Sequence, residues 1–402
     1  MTRLTERFLR YVKIDTQSDP YVSTTPSTEK QKDLSRLLVN ELFIMGYTDA
    51  FLDDLGYTYL KIPKNAEGFT PIGFVSHVDT SFDSPGAPVN PRIIQNYQGD
   101  TIELNTQISM HPNQFPSLKH VIGEDIIVTD GHTLLGADDK CGVAEMMELA
   151  ERLIENPEIK HGDIYLCFTP DEEIGRGADH FNYDFFKASY AYTMDGSRVG
   201  EIEYENFNAA HAWVTFTGKS IHPGASKNKM VNASHIAFEF HQLLPKALDP
   251  SLTEGYEGFN HLTDIKSTVD HGQSIYIIRN HEMSLFEKQK DTFEMIKNFL
   301  NEKYGYEAVS LTLKDTYYNM AEKIKPRFEI IEKAMDAIKR CGLTPITSPI
   351  RGGTDGARLT YEGLLCPNLG TGGYQFHGRY EFASIQQMEK ALEIMFDIIK
   401  HA

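Results

Sequence analysis

The sequence predicts an α/β protein, a mostly parallel sheet flanked by helices and interrupted by an inserted α+β domain. Three observations carry that expectation. Short apolar runs at 72–75, 164–168 and 190–194 have the composition of strands buried on both faces. They alternate with helical patterns, the rhythm of a parallel sheet with crossover helices. From about residue 208 the order becomes β-α-β-β-α-β, and α/β character returns near 327.

The elements follow in order. Leu4, Phe8, Leu9, Tyr11 and Val12 recur at helical spacing over 3–14, and 16–28 is a polar Ser/Thr/Pro-rich loop. A second helical pattern covers 30–43, with short strands expected at 49–52 and 57–62. Ile72-Gly73-Phe74-Val75 is a buried strand that delivers Ser76-His77-Val78-Asp79-Thr80 at its carboxyl end. Residues 82–120 are turn-rich and weakly periodic, a length of connection that usually carries function, such as a rim over a site. After the Asp130-Gly131 turn comes Leu134-Leu135-Gly136-Ala137-Asp138-Asp139-Lys140. A helix then runs to about 155 on Val143, Met146, Met147, Leu149, Ala150 and Leu153. The strand at 164–168 leads directly into Thr169-Pro170-Asp171-Glu172-Glu173.

Within the insert, 210–216 alternates as a strand and 231–244 is helical. Strands at 259–268 and 273–279 flank Asp270-His271-Gly272, read as a hairpin turn. A helix at 286–304 and a strand at 308–313 complete a ferredoxin-like unit. The expected division is therefore a discontinuous domain of 1–207 and 316–402 around a lid or dimerisation-type domain of 208–315. Helices at 327–341 and 384–399 and a strand near 364–367 close the chain. An inserted domain places a cleft beside its host, where ligands tend to bind.

Composition narrows the function. A chain of 402 residues has room for two domains. A formal charge of -18 argues against nucleic acid or an anionic membrane as partner. There is no apolar run of 18 residues, and Met1-Thr2-Arg3-Leu4 opens an amphipathic pattern rather than a signal peptide, so a cytoplasmic protein is expected. Cys141, Cys167, Cys341 and Cys366 are far apart in mostly apolar surroundings, which reads as reduced thiols and not as a disulfide framework or a cysteine-type zinc site.

Three consecutive carboxylates at the mouth of a buried strand repel one another unless solvent or a cation takes up their charge. Taken alone, Asp171-Glu172-Glu173 is a solvated acidic turn, Asp138-Asp139 a helix cap, and His77 or His377 a loop histidine. Together they lie at the ends of predicted strands or in adjoining loops, with Asp79 and Asp195 among them. In an open parallel sheet such positions converge on one crevice. Carboxylates mixed with imidazoles suit Zn²⁺, Co²⁺ or Mn²⁺. Two such ions, ~3.5–4 Å apart, can polarise a carbonyl and activate a water. Adjacent side chains on extended backbone point oppositely, so Glu172 and Glu173 can divide the work of base and ligand. These residues alone do not say which of Asp138 and Asp139 would lie between the ions.

His77-Val78-Asp79, Gly136-Ala137-Asp138-Asp139-Lys140, Asp171-Glu172-Glu173, Asp195-Gly196 and His377-Gly378 occur in the order seen in the M20 metallopeptidases, which the chain resembles over essentially its whole length. Glu205-Asn206-Phe207-Asn208, 253–259, Tyr317-Tyr318-Asn319-Met320 and Arg351-Gly352-Gly353-Thr354-Asp355-Gly356 bring it closest to a branch of tripeptide aminopeptidases. The resemblance implies a zinc-peptidase-type fold with two zinc ions per subunit. Asp138 would bridge them, His77 and Asp195 would complete one site, and Glu173 and His377 the other. It further implies Glu172 as general base and Asp79 as the hydrogen-bond partner of the far His77 nitrogen. The Asp138–Asp139 peptide is commonly cis in this family. His222, in Ser220-Ile221-His222-Pro223-Gly224, would support the oxyanion, and Arg279 would grip the carboxylate of a short peptide. Asn280 stands where Asp is usual, which puts the pose of Arg279 in question. Arg351 would add a further substrate contact. The family often forms homodimers.

Two rivals to the tripeptide aminopeptidase reading follow from the same residues: a related M20 dipeptidase or N-acyl amino acid deacylase, and a non-catalytic peptide-binding module. Need for a free substrate amine separates the first, and an activity assay alongside metal content separates the second. No G-x-S-x-G elbow supports a serine hydrolase.

Overall fold

The computed structural model describes residues 1–402. Its contacts divide the chain into two compact units: Met1–Tyr204 with Lys323–Ser348 and Thr354–Ala402, and Glu205–Glu322 with Pro349–Gly353. The smaller unit thus begins slightly before and ends slightly after the expected 208–315, and it takes in a five-residue stretch expected in the larger one.

The larger unit is built on a seven-stranded sheet in the order Phe51–Leu52, Thr58–Ile62, Ile164–Thr169, Ile72–His77, Tyr190–Gly196, Asn368–Gly370, Ile202–Glu203. The central strands from Ile164–Thr169 to Asn368–Gly370 run parallel. The flanking pairs are antiparallel, so "mostly parallel" holds only for the centre. The physical reason is burial: the central strands lie between helical layers, whereas short edge strands can be added without a crossover helix. Gly73 marks how closely those layers approach. A Cβ there would lie 2.3 Å from the Phe186 ring.

On one face the buried helix Ala137–Glu155 packs across Ile72–His77 and Tyr190–Gly196. Helices Arg3–Tyr11, Gln31–Met45 and Ile385–Lys400 cover it in turn. On the other face Tyr59, Cys167, Phe181, Phe186 and Leu359 form a second core. The expected weakly periodic rim is not structureless. Arg92–Ile94 joins Ile126–Val128, Phe382–Ser384 and Gly373–Tyr374 in a small antiparallel sheet over Tyr97, Met110, Leu118 and Tyr374. Its strands are two or three residues long, too short for alternation to register in the sequence.

The smaller unit has the expected order: strand Asn208–Thr217, helix Ala233–Leu243, strands Phe259–Ser267 and His271–Asn280, helix Met283–Tyr304, strand Val309–Tyr317. All neighbouring strands pair antiparallel, with Asn208–Thr217 and His271–Asn280 central. Val214, Phe216, Phe240, Tyr276 and Phe293 fill the core beneath the two helices. The hairpin turns earlier than expected. His271 and Gly272 already pair with Thr217 and Phe216, and Thr268 N–H bonds the His271 carbonyl at 2.8 Å.

Candidate metal centre

Strand register brings the candidate residues to one end of the sheet. His77, the last residue of its strand, pairs with Thr169, and Val75 pairs with Thr193. The residues just past those points, Asp79, Asp171–Glu173 and Asp195, therefore leave the sheet at the same edge. The helix Ala137–Glu155 begins beside them with a kinked first turn, and the Asp138–Asp139 peptide is cis.

Asp138 stands between two imidazoles. Its Oδ1 lies 2.9 Å from His77 Nε2 and its Oδ2 3.4 Å from His377 Nε2. His77 Nε2 also has Asp195 Oδ1 at 3.4 Å, and His377 Nε2 has Glu173 Oε2 at 2.9 Å. Glu172 joins His77 and Asp195 in one donor group, while His77, Asp138 and Glu173 form another. In each group the donor atoms lie within 4.8 Å of one another.

Asp139 spends its carboxylate on backbone and hydroxyl donors, accepting Ser76 Oγ–H and, at 3.2 Å, the His77 backbone N–H. Asp171, also a ligand candidate by sequence, is turned inward with φ +60°. It accepts from Ser27 N, Ser27 Oγ, Gln31 Nε2 at 2.7 Å and Arg176 Nη2 at 3.1 Å, and anchors the loop. Asp79 lies against the far nitrogen of His77 through two of its oxygens. Its carbonyl oxygen is 3.1 Å from His77 Nδ1 and its carboxylate 3.4 Å away. That carboxylate also accepts the backbone N–H groups of Glu172 at 3.0 Å and Glu173 at 3.2 Å.

Two acidic residues without an assigned role belong here as well. Glu381 accepts the backbone N–H of Leu135 and Gly136 at 2.7 Å and of Asp138 at 2.9 Å, pinning the loop that presents Asp138. Asp355 accepts Thr169 Oγ–H at 2.8 Å and lies so close to Gly177 that a Cβ there would sit 2.1 Å from its carboxylate. Each lies nearly two hundred residues or more along the chain from the group it holds, and no local spacing signals that.

Electrostatics fit a cation. Burial pushes Glu173 up to about 8, reinforced by the Asp138 charge. Burial and the Asp195 charge raise Glu172 well above its usual range, and burial lifts Asp195 to about 6. His377, bonded to Asp138 and Glu173, is pushed up to about 12. Burial alone would lower His77, but Asp195, Asp138 and Asp79 outweigh it and hold the ring well above its ordinary value. Asp138 is held low despite burial by its bonds to His377 and His77. Protons are thus held on Glu173, Asp195, His77 and His377, which would lose them on binding a metal, since ligands bind it deprotonated. Glu173 Oε1 is buried with no hydrogen-bond partner, an orphan acceptor of the kind a cation satisfies. Carboxylate and imidazole donors without thiolate suit a borderline divalent ion in an open site.

A sequence profile of peptidase family M20/M25/M40 matches residues 129–401. The chain belongs to this family. It is 51% identical to Peptidase T of Clostridium perfringens over 100% of this chain and 99% of that one. Peptidase T of Alkaliphilus oremlandii is 48% identical, again over 100% and 99%. Among solved structures the aminopeptidase PepT of Bacillus cereus superposes with a TM-score of 0.77 at 23% identity, covering 99% of this chain and 97% of that one. A dinuclear metal-binding M20 peptidase of Bacillus subtilis gives 0.63 at 12%, covering 99% and 97%, a likeness of fold alone. With its donor clusters, this M20 chain is a metal-dependent peptidase.

The other residues singled out by sequence lie in the smaller unit. His222 is an exposed turn residue whose Nδ1 accepts the Gly224 N–H at 3.1 Å. Arg279 donates to the carbonyls of Ile278 at 3.0 Å and Ala210 at 3.3 Å, with its guanidinium 5.2 Å from the Tyr317 ring. Asn280 is buried and bonded to Gln289 Oε1 at 2.8 Å, so it braces the following helix rather than the arginine. Arg351, expected to meet substrate, donates to the carbonyls of Gly255 at 2.7 Å and Glu257 at 3.0 Å and to Thr253 Oγ1 at 3.0 Å. Both its terminal nitrogens are engaged by that loop.

Proposed function

We propose that the protein is an aminopeptidase that hydrolyses the N-terminal peptide bond of short peptides, tripeptides preferred, using two zinc ions. The observation that carries this reading is the placement of Asp138, one oxygen towards His77 and the other towards His377. A carboxylate so placed could be shared by two ions, and Asp195 would then complete one donor set and Glu173 the other. The curated relatives named Peptidase T, half identical over their whole length, support the substrate class. Co²⁺ or Mn²⁺ would suit the same donors.

When bound, such ions polarise the scissile carbonyl and make a water acidic enough to attack at neutral pH. The chain's own residues do the rest. Glu172 accepts the proton of the attacking water on its carboxylate and returns it to the departing amine. Asp79 fixes the backbone on which Glu172 stands. His222 donates to the developing oxyanion, and Arg279 binds the peptide carboxylate. The homodimer expectation goes with this reading, and sedimentation of the purified enzyme tests it. Glu172→Gln keeps size and hydrogen bonding but removes the base. It should lower kcat on a free tripeptide by at least about 10²-fold with zinc content unchanged. Unchanged turnover would remove Glu172 from its role.

A further inference from the structure

The two histidines of the candidate centre are held by different means. His77 is buried, its side chain 2% exposed, and its Nδ1 faces the Asp79 carbonyl oxygen at 3.1 Å. Burial and that contact fix the ring. The His377 side chain is 46% exposed, on a loop where both Gln375 and His377 adopt left-handed backbone, φ +58° and +63°. For this ring orientation is not set by burial. Its Nδ1 instead lies 3.2 Å from Asp83 Oδ2.

We infer that Asp83 is the positioning residue of His377: it takes the Nδ1–H, fixes the ring's tautomer and aim, and so leaves Nε2 for the metal site shared with Glu173 and Asp138.

Asp83 is itself presented by a braced loop. Ser81 Oγ donates to Asp83 Oδ2 and accepts the Asp83 N–H, both at 3.2 Å. The Gln17 amide holds the carbonyls of Ser81 at 2.9 Å and Ser84 at 2.8 Å, and Leu134 N–H holds that of Pro85 at 3.0 Å. The loop is therefore tied at both ends around one carboxylate. As an ion pair between half-exposed groups, Asp83–His377 contributes little to stability. Its leverage is orientational. A histidine that donates its other N–H to a carboxylate is a better and better-aimed ligand, and losing such a partner typically costs about 10- to 100-fold in metal affinity. Asp83 stands 294 residues from His377 in sequence, so nothing in local spacing exposes the pair.

This inference rests on the two-ion reading above, and one experiment separates their failures. Zinc is titrated into the metal-free full-length enzyme against a chromophoric chelator, giving two macroscopic affinities for the unaltered chain. Asp83→Ala should weaken one of them by about 10- to 100-fold and leave the other within about twofold. Asp83→Asn, whose amide oxygen still accepts Nδ1–H, should restore most of the loss, and thermal unfolding of the metal-free variants should match the parent. Two unchanged affinities in Asp83→Ala would overturn the role of Asp83. So would an equal fall in both with a lowered Tm, which marks a general loop defect. If the unaltered chain takes up fewer than two zinc ions, the two-ion reading falls first and takes this one with it.

Discussion

Asp79 accepts the backbone N–H of Glu172 at 3.0 Å through one carboxylate oxygen, and that of Glu173 at 3.2 Å through the other. One fully buried side chain therefore sets the backbone of both adjacent glutamates, while its carbonyl steadies His77. Asp79→Ala leaves two N–H groups without acceptors and lets Glu172 drift. A misplacement of about 1 Å at a reacting group can cost on the order of 10²-fold. Steady-state kinetics should show kcat falling by that order with KM little changed. Asp79→Asn, which keeps one acceptor oxygen, should fall between.

Asp171 separates structure from catalysis within the same acidic run. Its carboxylate is buried and bonded to Ser27, Gln31 and Arg176. Asp171→Ala strands those donors and should lower unfolding free energy by about 3 kcal/mol. Denaturant titration should show this midpoint shift, whereas Glu172→Gln should leave the midpoint almost unmoved.

Glu145 gives a pH prediction. It is buried in the helix Ala137–Glu155, and neither carboxylate oxygen has a hydrogen-bond partner. Burial, then the charges of Asp139 and Glu389, raise it well above its ordinary value of 4.5. The folded chain thus keeps a proton that the unfolded chain releases, so stability falls as pH rises above about 4.5 towards the folded value. Glu145→Gln removes that dependence. The variant's Tm should match the parent's near pH 4 and exceed it increasingly towards pH 8. A constant difference across that range would show that no titration is involved.

How much of this was legible in sequence follows from what each feature depends on. The central strands and the order of the smaller unit could be read because long apolar or alternating runs are local signals. The small sheet under residues 92–128 could not, since strands of two or three residues carry no period, and the strands near 49–62 could be read but not their antiparallel pairing. At the site, the positions of His77, Glu173, Asp195 and His377 followed from strand ends and from family resemblance. The division between Asp138 and Asp139 depends on a kinked first helical turn, and the inward aim of Asp171 on a left-handed backbone. Neither leaves a mark on residue spacing. The acceptors of Arg351, on 253–257, come from a distant part of the chain, so nothing in its own motif signals them.

Whether Asp138 is shared by two metal ions is most directly read from anomalous scattering at the zinc edge, in crystals of the zinc-loaded enzyme. Two peaks ~3.5–4 Å apart are expected, one on each side of Asp138. One should lie within bonding distance of His77 and Asp195, the other of Glu173 and His377. A single peak, or a pair that Asp138 does not touch, would contradict it.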